Sequence, residues 1–179
     1  GPNARYSERE VAWGMCRPGF VIIGAGKCGT SSLYHYLVGH DRVLPAREKQ
    51  IHYFKYYAQR SMSWYLSHFP STEGFLGSGA LMTGEASPGY LPYGNVARIT
   101  ADRLPGPRIV VAAREPLDRA WSSYRYSYVV PALERAMKGR AKERGVPKGM
   151  TEDYYRENHL FSFEEMVRAE LRVLRECLR

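Results

Sequence analysis

The run Phe20-Val21-Ile22-Ile23-Gly24-Ala25-Gly26-Lys27-Cys28-Gly29-Thr30-Ser31-Ser32-Leu33 constrains the fold of this chain more than any other stretch. An apolar, β-branched segment gives way to three glycines, one lysine and three hydroxyls, and an apolar helical pattern starts at Leu33. The order is strand, anion-binding loop, helix. Glycines let backbone N–H groups approach anionic oxygens, and a helix N-terminus adds partial positive charge. Lys27 brings a full charge to the same spot. A continuous apolar strand such as Phe20–Gly24 suits the middle of a parallel sheet covered on both faces.

The rest of the chain alternates in the same way. A helix is expected over Ser31–Val38, with Leu33, Tyr36 and Leu37 on one side, then a short strand over Arg42–Leu44 that ends at Pro45. Tyr53–Phe69 holds a helix starting near Ser61 or Ser63, Ser71–Ser78 reads as a loop, and Leu81–Glu85 as a strand. Val96–Leu104 reads as a helix closed by Pro105-Gly106-Pro107, since proline cannot continue one. Arg108–Ala113 is a second strong strand, and Leu117–Val129 a helix with Pro116 in its first turn. Lys138–Met150 reads as an exposed loop. Ser162–Leu178 is amphipathic at a period of 3.6, with a capping box of Ser162 and Glu165. Strands alternating with helices imply an α/β, P-loop-like three-layer fold: a central, mainly parallel sheet flanked by helices. The 179 residues make one domain, 18–179, behind a polar N-terminal tail of residues 1–17.

The loop is not a Walker A loop. That motif needs Gly-x4-Gly-Lys-Ser/Thr, but Gly26-Lys27 is followed by Cys28, and Val21 stands where the first glycine belongs. The hydroxyl that would hold magnesium is missing, which argues against an ATPase or GTPase. Gly24-x-Gly26-x-x-Gly29 does match the dinucleotide fingerprint, whose acidic partner about 20 residues on would have to be Glu48. Arg47-Glu48-Lys49 reads as a charged turn, so a dinucleotide-dependent oxidoreductase rests on the glycines alone.

Composition narrows the classes further. Against 18 acidic residues the chain has 26 Lys and Arg, a formal charge of +8, with basic clusters at Arg114–Arg125 and Arg135–Lys148. A polyanionic ligand is the functional reading, and a solvated surface the plainer one. No helix-turn-helix, zinc-finger or RNP pattern points to nucleic acid. No run approaches the roughly 18 apolar residues of a membrane span. Cys16, Cys28 and Cys177 lack metal-ligand spacing, the five histidines are scattered, and no metal site is expected. A single Cys16–Cys177 bond is the one disulfide left open.

In detail the loop resembles the 5′-phosphosulfate-binding loop of the sulfotransferases, through Gly26-Lys27-Cys28-Gly29-Thr30-Ser31-Ser32-Leu33-Tyr34. Lys49-Gln50-Ile51-His52-Tyr53-Phe54 is similar to the Lys-Glu-x-His-Phe-Phe stretch of the heparan-sulfate and related carbohydrate sulfotransferases. Trp64-Tyr65-x3-Phe69 and Gly84-Glu85-Ala86-Ser87-Pro88-x-Tyr90 follow in family order. Arg108–Tyr124, with Arg114-Glu115-Pro116-x2-Arg119-Ala120-x-Ser122, resembles the segment that binds the 3′-phosphate. The ordered set covers residues 18–177.

The resemblance implies transfer of a sulfuryl group from 3′-phosphoadenosine-5′-phosphosulfate (PAPS) to a hydroxyl or amine, with no metal and most naturally on a carbohydrate. A small hydroxyl compound is the other acceptor class. Lys27 then contacts the leaving oxygen, while Gly26, Cys28, Gly29, Thr30 and Ser31 cradle the 5′-phosphosulfate. Arg114 and Ser122 grip the 3′-phosphate. Plainer readings are helix capping for Thr30 and Ser31, and an ion pair of Arg114 with Glu115 or Asp118. Gln50 stands where the family commonly has a catalytic Glu, and an amide cannot take the acceptor's proton. His52 and Glu48 are the candidate bases, and His52 is expected to point the same way as Gln50 along an extended segment. Gln50, Glu85 and Ser87 fall on the acceptor side, with Glu85 alternatively a buried ion-pair partner of Arg114 or Lys49. The family's domain continues past the last residue here, so the chain is expected to be a part of it. A binding module that kept the fold and lost the base is the runner-up reading.

Overall fold

The computed structural model describes residues 14–104, 106–130 and 162–177. The chain divides into two compact units, Gly1–Arg114 and Glu115–Arg179. The first holds a four-stranded parallel sheet of β1 (Phe20–Gly24), β2 (Val43–Pro45), β3 (Met82–Ala86) and β4 (Arg108–Val111), in the order β2-β3-β1-β4. The register sets Phe20 beside Gly84 and Arg108, and Val21 beside Glu85 and Ile109.

Alternation along β1 divides the interior in two. Phe20 and Ile22 face α1 (Thr30–Val38) and pack with Tyr34, Leu33, Leu37 and Val43. Val21 and Ile23 face the opposite side. There they meet aromatic residues of α2 (Tyr53–Tyr56) and α3 (Met62–Leu66), and Val96 and Ile99 of α5 (Gly94–Arg103). The sheet therefore carries helices on both faces, as the alternating sequence implies. The neighbouring strands β1 and β3 lead into helices on opposite faces. Such a divergence opens a crevice at the carboxyl ends of the strands, where open α/β sheets bind ligands.

Three local expectations change. On α1 it is Tyr34, not Tyr36, that turns inward: Tyr36 is 79% exposed and Tyr34 3%. The Tyr34 hydroxyl donates to the Gly84 carbonyl at 3.4 Å and accepts from the Ala46 N–H at 3.0 Å, so its polar end is satisfied inside. Thr72–Ser78 is a helix, α4, rather than a loop. Ser71 Oγ accepts from the Gly74 N–H at 3.1 Å, and Gly79, at φ 71°, ends the helix. Residues 14–17 are docked on this region: Met15 bridges Ser71, and the Cys16 N–H donates to Pro70 O at 3.0 Å. Cys16 is buried and its thiol is free.

In the second unit, α6 (Pro116–Tyr124) passes into a π-helical turn, Arg125–Val129, where one continuous α-helix was expected. Glu115 caps α6 by accepting from the Asp118 N–H at 2.7 Å. The final helix, α7 (Phe163–Cys177), starts with the expected capping box, Ser162 N–H to Glu165 at 2.8 Å and Glu165 N–H to Ser162 Oγ at 3.2 Å. Phe163 packs edge-on to Trp121, with ring centroids 5.0 Å apart. The basic cluster Arg135–Lys148 and the loop Lys138–Met150 lie outside the described residues, as does the side chain of Cys177.

Candidate functional site

The site begins where β1 runs out. The Ala25 N–H continues the ladder to Ala112 O at 2.9 Å, and the Cys28 N–H closes a turn on Ala25 O at 3.2 Å. Lys27 and Gly29 both take left-handed backbone, φ 68° and 77°, which turns the chain into α1. Gly29 is the N-cap residue and has no side chain to offer, and the first helical bond runs from the Leu33 N–H to Gly29 O at 3.0 Å. The N–H groups of Thr30, Ser31 and Ser32 thus lie ahead of the first intrahelical bond, facing out of the helix with its positive dipole end. A Cβ built on Gly26 or Gly29 meets nothing within 4 Å. There is room over the loop for an anion's oxygens to come against the backbone. By contrast, a Cβ on Gly24 would come 2.6 Å from the Leu91 side chain, so that glycine serves packing.

Three cations converge on this loop. Lys27 belongs to it. The Arg114 guanidinium, just past β4, donates to the Lys27 carbonyl at 3.5 Å. Lys49, whose own carbonyl accepts from the Ala86 N–H at 3.0 Å, extends its ammonium to Ser31 Oγ at 2.6 Å. Burial pushes the Lys49 pKa down. Ser31 is therefore engaged by Lys49 rather than capping its helix, and the helix has no side-chain cap. Thr30 is buried, and Cys28 Sγ lies 3.8 Å from Gly26 O. Lys49 is the cation the sequence reading left out of the loop, naming it only as an alternative ion-pair partner of Glu85. Lys49 stands four residues after the end of β2, but only the fold brings it across 18 residues to Ser31.

Gln50 and His52 meet, although not along an extended segment. His52 has φ 54°, so the chain turns at the histidine, and its Nε2 stands 3.1 Å from Gln50 Oε1. Nδ1 is buried without a hydrogen-bond partner among the described residues. Gln50 is exposed, so rotating its amide frees Nε2 for a solvent-side partner while Nδ1 stays sealed. The ring lies edge-on to Tyr56 and Tyr90, with centroids 5.6 and 6.3 Å away. Burial first, then the charges of Lys55 and Lys49, lower the His52 pKa. Neutral imidazole, the form a base needs, is favoured. Glu48 is exposed on the turn before Lys49.

Glu85 and Ser87 point elsewhere. Both have no exposed surface. The Glu85 carboxylate accepts from Tyr65 Oη at 3.0 Å, Tyr90 Oη at 3.3 Å and Ser87 Oγ at 2.6 Å, so these hydroxyls, rather than Arg114 or Lys49, hold it. Burial outweighs those bonds and raises its pKa to about 7. Ser122 stands half-buried on α6 in the second unit. No three His, Cys, Asp or Glu side chains among the described residues are grouped to hold a metal ion. No helix among them is long and apolar enough to cross a membrane.

No protein-family model matches the chain. Over 165 residues, 92% of its length, it is 27% identical to the membrane-associated sulfotransferase kil1 of Dictyostelium discoideum, covering 30% of that protein. Over 119 residues it is 29% identical to the bifunctional heparan sulfate N-deacetylase/N-sulfotransferase 3 of Homo sapiens, covering 61% of this chain and 13% of that one. It is 30% identical over 107 residues to human heparan sulfate glucosamine 3-O-sulfotransferase 6, covering 60% of this chain and 30% of that one. A solved sulfotransferase from Alicyclobacillus acidocaldarius aligns at 26% identity and a TM-score of 0.48, over 90% of this chain and 79% of that chain. The chain spans less than a third of the length of these curated relatives. The resemblance read from the motifs is borne out: the proteins this chain is similar to are sulfotransferases.

Proposed function

We propose that this chain carries the donor-binding part of a PAPS-dependent sulfotransferase acting on a hydroxyl or amine of a carbohydrate. One observation carries the reading. A helix N-terminus without a side-chain cap opens onto empty space over Gly26, with Lys27, Lys49 and Arg114 gathered round it. That arrangement suits a compact, multiply charged anion that needs no magnesium. When bound, the donor supplies a sulfuryl group on a phosphate leaving group. Lys27 and the N–H groups of Gly26, Gly29 and Thr30 are aimed at that phosphate, where charge develops as the bond breaks. Ser31 and Lys49 add a hydroxyl and a second positive charge on the same side. Arg114 offers a planar fork for the 3′-phosphate, and Ser122 keeps that role on the resemblance alone. His52 takes the acceptor's proton at Nε2, with Glu48 the rival. Two of the similar proteins are heparan sulfate enzymes, which supports a glycan acceptor.

The test is transfer of labelled sulfate from PAPS to a panel of desulfated heparan, a tyrosine peptide and a simple phenol. Label in the glycan supports the reading, and label only in the peptide or phenol moves the acceptor class. Gln50 favours a second reading, a nucleotide-binding module without turnover. Tight donor binding with no label in any acceptor would select it.

A further inference from the structure

Glu85 and Ser87 have no exposed surface, yet their hydrogen bonds run to the segment that carries His52. Ser87 Oγ donates to Glu85 Oε2 at 2.6 Å and accepts from the His52 backbone N–H at 3.0 Å. The backbone N–H of Ile51 also donates to Glu85. Tyr90 Oη donates to Glu85 Oε1 at 3.3 Å and accepts from the Phe54 N–H at 3.3 Å, while its ring stands beside the imidazole. Three backbone N–H groups, those of Ile51, His52 and Phe54, thus end on one buried cluster. Between them lies the left-handed residue His52, φ 54°. A non-glycine residue keeps that conformation only where its surroundings over-determine it.

We propose that Glu85, acting through Ser87, is a positioning residue for His52: the pair fixes the turn at the histidine and seats its imidazole against Gln50. The four groups that meet the carboxylate are all donors here, so the ionised form satisfies them best and a protonated one loses an acceptor site. The titratable groups facing Glu85 are Tyr65 from α3, Tyr90 beyond β3 and, at longer range, Tyr34 from α1. Those facing His52 are Lys49 and Lys55. The inference rests on the reading of His52 as the base, but it can be tested without turnover.

The experiment is a histidine-labelled NMR titration of the full chain, with the His52 signal identified as the one missing from His52→Ala. In Ser87→Ala and in Glu85→Gln the His52 pKa is expected to rise toward the ordinary histidine value as the ring leaves its buried seat. Affinity for adenosine 3′,5′-bisphosphate should stay within about twofold of the parent. At saturating donor, kcat should fall about tenfold or more with the donor KM unchanged. A residue that only packs the core would lower the melting temperature and leave the His52 titration where it was, and that result overturns the proposal. Should both variants fail to fold, the parent decides. Its His52 amide nitrogen is expected to show an inflection that tracks the Glu85 carboxyl carbon, and a His52 amide blind to Glu85 overturns the proposal. A parent that transfers no sulfate contradicts the proposed function alone, since the titration still reads the positioning.

Discussion

Gly26 and Gly84 share a side chain of nothing and differ in what surrounds it. A methyl on Gly84 would come 2.5 Å from the Phe20 ring and carbonyl, backbone included, so Gly84→Ala is expected to destabilise by about 1–3 kcal/mol in denaturant melts. A methyl on Gly26 meets nothing within 4 Å, so Gly26→Ala should fold normally and instead fill the space kept for the ligand. Its melting temperature should match the parent while affinity for adenosine 3′,5′-bisphosphate drops by about tenfold or more, roughly one charged hydrogen bond. His52 makes a second residue-scale prediction. Only neutral imidazole accepts a proton, so the rate holds above the His52 pKa and falls as pH drops through it. Burial, Lys55 and Lys49 lower that pKa, so the half-maximal point of kcat/KM should lie below the ordinary histidine value of about 6.5. His52→Ala should cost about 10²–10⁴-fold in rate and abolish that limb. A limb that survives in His52→Ala transfers the role to Glu48.

Among elements, those whose hydrophobic pattern was continuous could be read from the sequence, and those decided by a distant partner could not. Phe20–Gly24 and the loop after it were clear because an apolar run, glycines and a lysine each point to the same structure. Tyr34 and Tyr36 were not distinguishable: both flank Leu33 and Leu37, and what chooses Tyr34 is the Gly84 carbonyl and the Ala46 N–H, 50 and 12 residues away. Helix α4 was missed because Gly74 and Gly77 look like loop punctuation, while the determining signal is the Ser71 cap. Ser71→Ala should therefore cost about 0.5–2 kcal/mol and loosen α4 first, visible as faster amide exchange over Thr72–Ser78. Within the candidate site, the loop residues were assigned from the motif. The Lys49–Ser31 pairing and the inward turn of Glu85 and Ser87 came only with the fold, since Tyr65 and Tyr90 approach Glu85 from separate elements.

For the molecule as a whole, a fully buried carboxyl links stability to pH. Glu85 has its pKa raised from 4.5 to about 7, so between those values the native protein holds a proton that the unfolded chain has released. Its contribution is therefore present at acid pH and is lost as pH rises to about 7. At about 1.4 kcal/mol per unit, the parent should lose about 3 kcal/mol relative to Glu85→Gln between pH 4.5 and 8. His52, with its lowered pKa, runs the opposite way, and repeating the pair in the His52→Ala background removes its part. Denaturant melts of the pair across that range check it; parallel curves would mean that Glu85 titrates as an ordinary carboxyl. At this scale the chain also spans less than a third of the length of the curated relatives it matches, and the proposed loop residues with Lys49 and Arg114 lie within Gly1–Arg114.

What that loop binds is the decisive property of the molecule. Calorimetry in EDTA, with adenosine 3′,5′-bisphosphate, NAD and ATP as separate titrants, measures it directly. The loop, its three cations and the missing magnesium-binding hydroxyl predict that the bisphosphate binds well over tenfold more tightly than either competitor. Lys27→Ala is expected to spare most of that affinity while sharply lowering any transfer rate, because charge at the leaving oxygen develops mainly in the transition state. NAD or ATP binding as tightly as the bisphosphate, with no metal present, would contradict the sulfate-donor assignment of the loop.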